Sequence, residues 1–340
     1  YSQSGTPDVN VAVSYDPVEK TFSVNLRQSI KSQPDAATLF IPVRFGLLLA
    51  TGADIAVNKV SGGIVTDNIM HFNNKDQTFI FHNVTEKPVL SILRNFSAPV
   101  RIIYERNVEQ LAFLLATDSD LISRWEAANE LQLLLIKNWY KAIELNESYI
   151  VPEFISKAFT DCINNDAIDK DFLPYIFTMP TLKYLLLGMN NPDIVVLSQV
   201  MEKIKLHFAT EAEQLWLSLH EQNSLDEPYD FSPDQVAARS VKNLALFFLS
   251  RLGDKYIDLI KSDYDNADNM TDKIAALSAI SNTSSGTKEQ LFAGFYNDYK
   301  DHPLVIDKWF RLQAADKSDG ALARVKSLTM HPAYDDGNPN

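Results

Sequence analysis

The sequence APVRIIYERNVEQLAFLLATDSDLISRWEAANEL, at residues 98–131, decides the fold because the hydrophobic pattern changes within it. Its first part, VRIIYER, is rich in branched and aromatic residues and predicts a β-strand. Further along, Leu121 and Trp125 begin a stripe of apolar residues at helical spacing. The change of pattern therefore predicts two domains, at residues 1–106 and 107–340.

Before this boundary, apolar residues alternate with polar ones, as they do along a strand with one buried face. Val9, Val11 and Val13 give the clearest example. Around seven short runs of this kind in about 105 residues predict an all-β, antiparallel sandwich of immunoglobulin type. The only cysteine is Cys162, so no disulfide joins the predicted sheets.

After the boundary, ten or more amphipathic helices are predicted, joined by short polar loops. Asp118 or Ser119 is the predicted cap of the long helix that follows, and Thr287 with Gln290 predicts a capping box. Helices with one apolar face must stack on their neighbours, which predicts an all-α superhelical domain of HEAT or armadillo type. The sequence ends at Asn340 within DDGNPN, so we expect this domain to be truncated at its C-terminal end.

Composition argues against several classes of function. The 340 residues carry a formal net charge of −13 with scattered basic residues, whereas nucleic-acid partners require clustered Lys and Arg. No apolar run approaches the roughly 20 residues that span a bilayer, so no membrane partner is expected. Cys162 stands at helical spacing among apolar neighbours, which predicts a buried thiol. A single cysteine favours a reducing, cytoplasmic location.

No segment has the spacing of a metal or catalytic site. An HExxH zinc site needs two histidines four residues apart on a helix, but His220-Glu221 is followed by QNS. In DYDNADNMTD, Asp263 and Asp265 fit a calcium loop, but Asp268 stands where glycine is needed, so we predict a loop with helix caps. We expect no catalytic, cofactor-binding or metal-ligating residue in this chain. Surface or structural roles are expected for the six histidines, His71, His82, His207, His220, His302 and His331.

Five phrases carry a resemblance to a known family, namely YSQSGTPDVNV (1–11), FSAPVRIIYE (96–105), SRWEAANEL (123–131), ADNMTDKIAALSAI (267–280) and HPLVIDKWFRLQA (302–314). In order and spacing they resemble bacterial aminopeptidase N, the family of gluzincin alanyl aminopeptidases. The resemblance implies a four-domain parent in which a catalytic domain with GxMEN and HExxH precedes a β-sandwich and a helical domain. This chain resembles the last two domains, as a C-terminal fragment.

The resemblance also implies a division of labour within the parent. The parent would remove N-terminal amino acids from peptides by means of a zinc-activated water. This chain would be its non-catalytic part, a β-sandwich spacer and a helical lid that pack on the catalytic domain. Zinc is implied for the parent and no cofactor for this chain. Because the chain lacks HExxH and GxMEN, it is predicted to be inactive alone.

Asn269, Asp272 and Asn338 are the candidate residues that line the substrate cavity within the helical domain. The alternative is that they serve only as helix caps and turn residues. Two other functions also stay open at this point. The chain could be a free-standing scaffold that binds a protein partner through the concave face of its helices, or it could carry an unrecognised catalytic site of its own.

Overall fold

A computed structural model describes residues 4–165, 168–283, 285–316 and 320–338. These residues form two compact units. The first contains the residues up to Ile168 together with Tyr175–Leu185, and the second contains Asp169–Pro174 and the residues from Leu186 onward. The first unit thus combines the sandwich with the helices that follow it. The division at residue 106 stays a prediction about domain organisation.

The described residues from Asp8 to Ile103 form strands in two sheets. The strands are β1 Asp8–Asp16, β2 Thr21–Ser29, β3 Ile41–Leu48, β4 Val60–Ser61, β5 Val65–Thr66, β6 Ile69–Phe72, β7 Asp76–His82, β8 Val89–Ile92 and β9 Arg101–Ile103. One sheet has the order β4-β7-β2-β1-β9 and the other β5-β6-β3-β8. All pairs are antiparallel except β1 with β9. The predicted immunoglobulin-like sandwich is confirmed.

The alternation along β1 and β2 places one set of side chains in the core. Val11 lies opposite Leu26, and both are buried, while the intervening residues are more exposed. The hairpin turn is held by Asp16, whose carboxylate accepts hydrogen bonds from the backbone N–H groups of Val18 (2.8 Å) and Glu19 (3.0 Å). The two sheets meet through aromatic residues of the core. Phe45 of β3 and Phe81 of β7 lie with ring centroids 5.0 Å apart.

The described residues after Ile103 form helices joined by loops, as the 3.6-residue period predicts. The α-helices are α1 Val108–Thr117, α2 Leu121–Glu144, α3 Glu153–Asn164, α4 Leu173–Ile176, α5 Leu182–Gly188, α6 Ile194–Glu211, α7 Glu213–Gln222, α8 Pro233–Leu249, α9 Ile257–Asn266, α10 Met270–Ile280, α11 Thr287–Tyr299, α12 Pro303–Ala314 and α13 Ala321–Leu328. The predicted order, an all-β domain followed by an all-α domain, is confirmed. Among the described residues, no helix is long and apolar enough to cross a bilayer.

Two of the predicted helix caps are wrong by one or two residues. The side chain that caps α2 is Asp120, which accepts from Ser123 N at 2.8 Å, whereas Asp118 ends α1. Thr287 is the first residue of α11, and the N-cap is Gly286, which has no side chain to cap the helix. A complete capping box does occur at Asn107 and its partner Gln110, ahead of α1.

Within the first unit, a buried polar cluster ties the sandwich to α1 and α2. The Arg94 guanidinium forms ion pairs of 2.8 Å with Asp54 and with Asp118, and its Nε donates to Ser91 Oγ at 2.9 Å. Burial raises the pKa of Asp118, and the charge of Arg94 opposes that rise. Gly46 of β3 leaves the space for this arrangement, because a Cβ atom there would collide with the guanidinium.

The second unit has its own aromatic core. Trp216 of α7 is fully buried and stacks on Phe248 of α8, with ring centroids 4.5 Å apart and planes 13° from parallel. Its indole Nε1 donates to the carbonyl oxygen of Phe208 at 3.0 Å. A further cluster joins α9 to α12 through residues such as Leu277 and Phe295.

Candidate functional site

The start of α10 is the place where two of the three candidate residues meet. Asn269 is the N-cap, and its side-chain oxygen accepts a hydrogen bond from Asp272 N at 3.0 Å. Its amide nitrogen donates to Asp268 Oδ1 (3.1 Å) and to Asp272 Oδ2 (3.2 Å). Asp268 in turn accepts from Tyr229 N at 2.7 Å. The Asn269 side chain and the Tyr229 backbone lower the pKa of Asp268.

Asp272 is buried and both of its carboxylate oxygens have partners from α8. Lys242 Nζ lies 2.6 Å from Oδ2, and Asn243 Nδ2 donates to Oδ1 at 2.9 Å. The carboxylate therefore has its counter-charge within the protein and ties α8 to α10.

A small cavity adjoins this cluster between the end of α7, the start of α8 and the start of α10. Its lining residues are Asn223, Leu225, Glu227, Tyr229, Gln235, Arg239, Lys242, Asp268, Asn269 and Asp272. The volume of about 40 Å³ admits about one ordered water and no amino-acid side chain. Arg239 covers one side, with its guanidinium 4.8 Å from the centre of the Tyr229 ring.

Asn338 does not line that cavity. Its side-chain nitrogen donates to Asp307 Oδ1 of α12 at 3.1 Å, and the residue is exposed. The structure therefore brings Asn269 and Asp272 together and leaves Asn338 in a separate contact. Asn269 is bonded as a helix cap, Asp272 links α8 to α10, and Asn338 is bonded to α12. A role for any of them in lining a substrate cavity stays a prediction.

Sequence reasoning missed the residues that partner Asp272. Lys242 lies thirty positions before Asp272, on an amphipathic helix with no unusual motif. The sequence therefore does not indicate that these two residues form a pair. The pair exists because α8 packs on α10. Only a prediction of which helices are neighbours would have found it.

The histidine nearest to an HExxH motif has a structural partner. His220 is buried on α7, and its Nε2 lies 2.6 Å from Asp263 Oδ2 on α9. Asp263 and Asp265 both lie within that helix, so the predicted loop is wrong at residues 263–266. The loop is confined to residues 267–269, which include the predicted cap Asn269. Among the described ranges, no three His, Cys, Asp or Glu side chains are grouped so that they could hold a metal ion.

Cys162 of α3 is buried, as its spacing predicts. Its Sγ donates to the carbonyl oxygen of Leu115 at 3.0 Å, and the Arg124 guanidinium lies 3.9 Å away. Burial raises the pKa of this thiol to about 11, against the opposing effect of Arg124. Because the thiolate is the reactive form, this cysteine is not a nucleophile at neutral pH.

The hydrogen bond by which Asn269 caps α10 can be tested directly by substitution. Asn269→Ala removes the acceptor for Asp272 N and is expected to lower the free energy of unfolding by about 1 kcal/mol. Asn338→Ala is the matched control and is expected to change it by less than about 0.5 kcal/mol, since the residue is exposed. Urea denaturation of both variants measures the difference. Equal effects of the two substitutions would contradict the cap.

Comparison with known proteins finds a sandwich model followed by a helical-repeat model along the chain. A family model described as "Domain of unknown function (DUF3458) Ig-like fold" matches residues 5–105. A second, described as "Domain of unknown function (DUF3458_C) ARM repeats", matches residues 108–340. The helical region is thus similar to armadillo-repeat domains, as the helix pattern predicts.

Several curated relatives are similar along the whole chain. Aminopeptidase N of Escherichia coli (strain K12) is 30% identical over 345 residues, which cover 100% of this chain and 39% of the relative. Aminopeptidase N of Haemophilus influenzae is 29% identical with the same coverage. Aminopeptidase N of Caulobacter vibrioides is 29% identical over 348 residues, or 38% of its length. The chain thus spans about two fifths of these relatives.

A solved structure shares the fold. Legionella pneumophila aminopeptidase A, crystallised in complex with aspartic acid, superposes with a TM-score of 0.78 over 99% of this chain and 39% of its own chain. Its sequence identity of 24% supports a common fold and no more.

Proposed function

Because this chain belongs to the DUF3458_C family of ARM-repeat domains and is homologous to the C-terminal part of aminopeptidase N, we propose that it is the non-catalytic supporting portion of a zinc aminopeptidase. In this proposal residues 1–106 are a spacer and residues 107–340 a lid over a catalytic domain. The single observation that carries it is the extent of the match, which covers all of this chain and only 39% of the aminopeptidase.

The side chains of the described region do not fit a catalytic zinc ion. His220 is buried and held by Asp263, and Asp272 is held by Lys242 and Asn243. The zinc and the residues that hold it are therefore proposed to belong to the catalytic domain of the parent. No step of peptide hydrolysis is assigned to this chain.

The proposed role of the chain is steric and structural. A lid excludes bulk water from the reacting groups and limits which peptides enter. Support comes from large apolar side chains that the second unit leaves exposed on neighbouring helices. Leu187 of α5 is 83% exposed, and Ile194 and Val195 of α6 are 52% and 65% exposed. A protein surface packed on these residues would bury them, which fits a contact with the catalytic domain.

The proposal extends to partners and location. The peptide substrate would meet this chain only through the catalytic domain, and neither nucleic acid nor membrane is a proposed partner. The net charge of −13 supports the first exclusion. A cytoplasmic location is proposed, supported by the single cysteine, which is buried and unable to form an internal disulfide.

Peptidase assays on the whole gene product and on this chain alone test the proposal. With an alanyl chromogenic substrate, the whole product is expected to turn over and this chain is not. Turnover by this chain at the rate of the whole product would contradict the proposal.

A further inference from the structure

The first unit contains a large open cavity that the proposed function leaves unused. It has a volume of about 600 Å³ and lies between the end of the sandwich (residues 93–106), α2 and residues 178–184. Cavities of roughly 300–1,000 Å³ are the size that binds small organic molecules. All of its lining residues belong to this one compact unit.

Most of the cavity wall is apolar and aromatic. Phe96 and Trp125 lie with ring centroids 6.3 Å apart and planes inclined by 55°. Leu133 and Met179 extend the apolar surface from α2 and from the segment before α5. This surface favours a ligand with an aromatic or aliphatic group, because burial removes apolar area from water on both sides.

The cations of the wall already have anionic partners. Arg106 forms an ion pair with Glu130, and its side chain is only 5% exposed. Its guanidinium also lies 5.7 Å from the centre of the Tyr104 ring. Arg101 forms a two-pronged pair with Asp8 at 2.6 and 2.7 Å. Both guanidinium groups are thus neutralised by protein carboxylates, and Arg106 Nε, which has no hydrogen-bond partner among the described residues, is buried away from the cavity space.

Glu126 differs from these residues because no cation forms a direct ion pair with it among the described residues. It lines the cavity from α2, and within the described part of the chain it has neither a hydrogen bond nor an ion pair. Burial raises its pKa to about 7, the Arg106 charge opposes that rise, and Glu130 and Asp120 add to it. The other charged or titratable residues of the wall are Arg101, Tyr104 and Tyr184.

A carboxylate of this kind favours one class of ligand. Ionisation in an apolar wall is costly, and a ligand cation would restore the lost solvation by charge-assisted hydrogen bonds. A ligand carboxylate would instead be repelled by Glu126 and Glu130. We propose that this cavity is a binding site for an amphipathic primary amine, with the ammonium group on Glu126 and the apolar group against Trp125. This inference does not depend on the aminopeptidase role.

The charge requirement is tested with three probes of nearly the same shape. Binding of 2-phenylethylamine, neutral 2-phenylethanol and anionic 3-phenylpropionate to the chain is measured by titration calorimetry at pH 8. The amine is expected to bind at least about tenfold more tightly than the alcohol, since only the amine can form charge-assisted hydrogen bonds with Glu126. Equal affinities for the amine and the alcohol, or no saturable binding of the amine, would overturn the proposal.

A conservative substitution tests the anchor itself. Glu126→Gln keeps the shape of the side chain and is expected to remove the preference for the amine over the alcohol. Glu109→Gln, at an exposed position on α1, is the matched control and is expected to retain it. An unchanged preference in Glu126→Gln would place the amine elsewhere and overturn the assignment.

The pH dependence of binding supplies an independent readout. With a pKa of about 7, the fraction of Glu126 that is ionised rises about tenfold between pH 6 and pH 8, whereas the amine stays protonated. The affinity of the native chain for the amine is therefore expected to rise by about that factor. The Glu126→Gln variant is expected to show no such rise. A pH-independent affinity in the native chain would contradict the role of Glu126.

Discussion

Arg94→Met is expected to lower the free energy of unfolding by about 3–5 kcal/mol, because it leaves a buried carboxylate without its counter-charge. The Asp118 side chain is 0% exposed and that of Arg94 only 8%, so water cannot replace the lost ion pair. The substitution also removes the bonds from Arg94 to Asp54 and Ser91, which connect parts of the sandwich to one another. Urea denaturation measures the change.

A double variant separates the charge from the shape of Arg94. Arg94→Met combined with Asp118→Asn is expected to recover part of the loss, since a neutral amide needs no counter-charge. Lys157→Met removes a surface pair with Asp161 and is expected to cost less than about 0.5 kcal/mol. If Arg94→Met costs no more than Lys157→Met, the buried cluster does not stabilise the first unit.

Trp216→Ala is expected to lower the free energy of unfolding by about 3–5 kcal/mol, as large-to-small substitutions of buried aromatic residues do. The ring is fully buried and stacked on Phe248, and its Nε1–H satisfies the carbonyl of Phe208. The substitution therefore leaves a cavity in the second unit and removes one of the hydrogen bonds that the Phe208 carbonyl accepts, while the bond from Ala212 N remains. Denaturant unfolding followed by circular dichroism gives the size of the loss.

Two further variants serve as an intermediate case and as a control for Trp216→Ala. Trp216→Phe keeps an aromatic ring on Phe248 but loses the hydrogen bond, so an intermediate loss is expected. Phe231→Ala changes an aromatic residue that is 80% exposed and is expected to cost less than about 0.5 kcal/mol. A loss from Trp216→Ala as small as that from Phe231→Ala would show that the packing of α7 on α8 is not as described.

The hydrophobic period predicted the classes of the elements well. Alternation at Val9 and Val11 identified a strand whose inner face is buried, and the stripe through Trp125 identified α2. Caps were predicted less well, because several polar residues compete within one turn. Asp118 and Asp120 are both acceptors before α2, and only the backbone geometry decides that Asp120 is the cap.

Polar contacts between distant residues could not be predicted from the sequence. Arg94 pairs with Asp54, which lies forty positions earlier in the chain, and Asp272 pairs with Lys242, thirty positions earlier. Neither pair follows a helical or strand period, so each depends on which elements pack together. The role of Glu126 could not be predicted for the same reason. Its lack of a direct partner depends on the residues that line the cavity, and its sequence neighbours in SRWEAANEL do not indicate it.

Zinc content measured on the purified chain alone is the most direct test of the central claim, that peptide hydrolysis is carried out by residues outside this chain. The chain is equilibrated with excess zinc, freed of unbound metal, analysed for zinc and assayed on an alanyl chromogenic substrate. The account predicts no stoichiometric zinc and no turnover, because His220 and Asp272 are already committed to Asp263 and Lys242. One tightly bound zinc per chain, with turnover that a chelator abolishes, would contradict it.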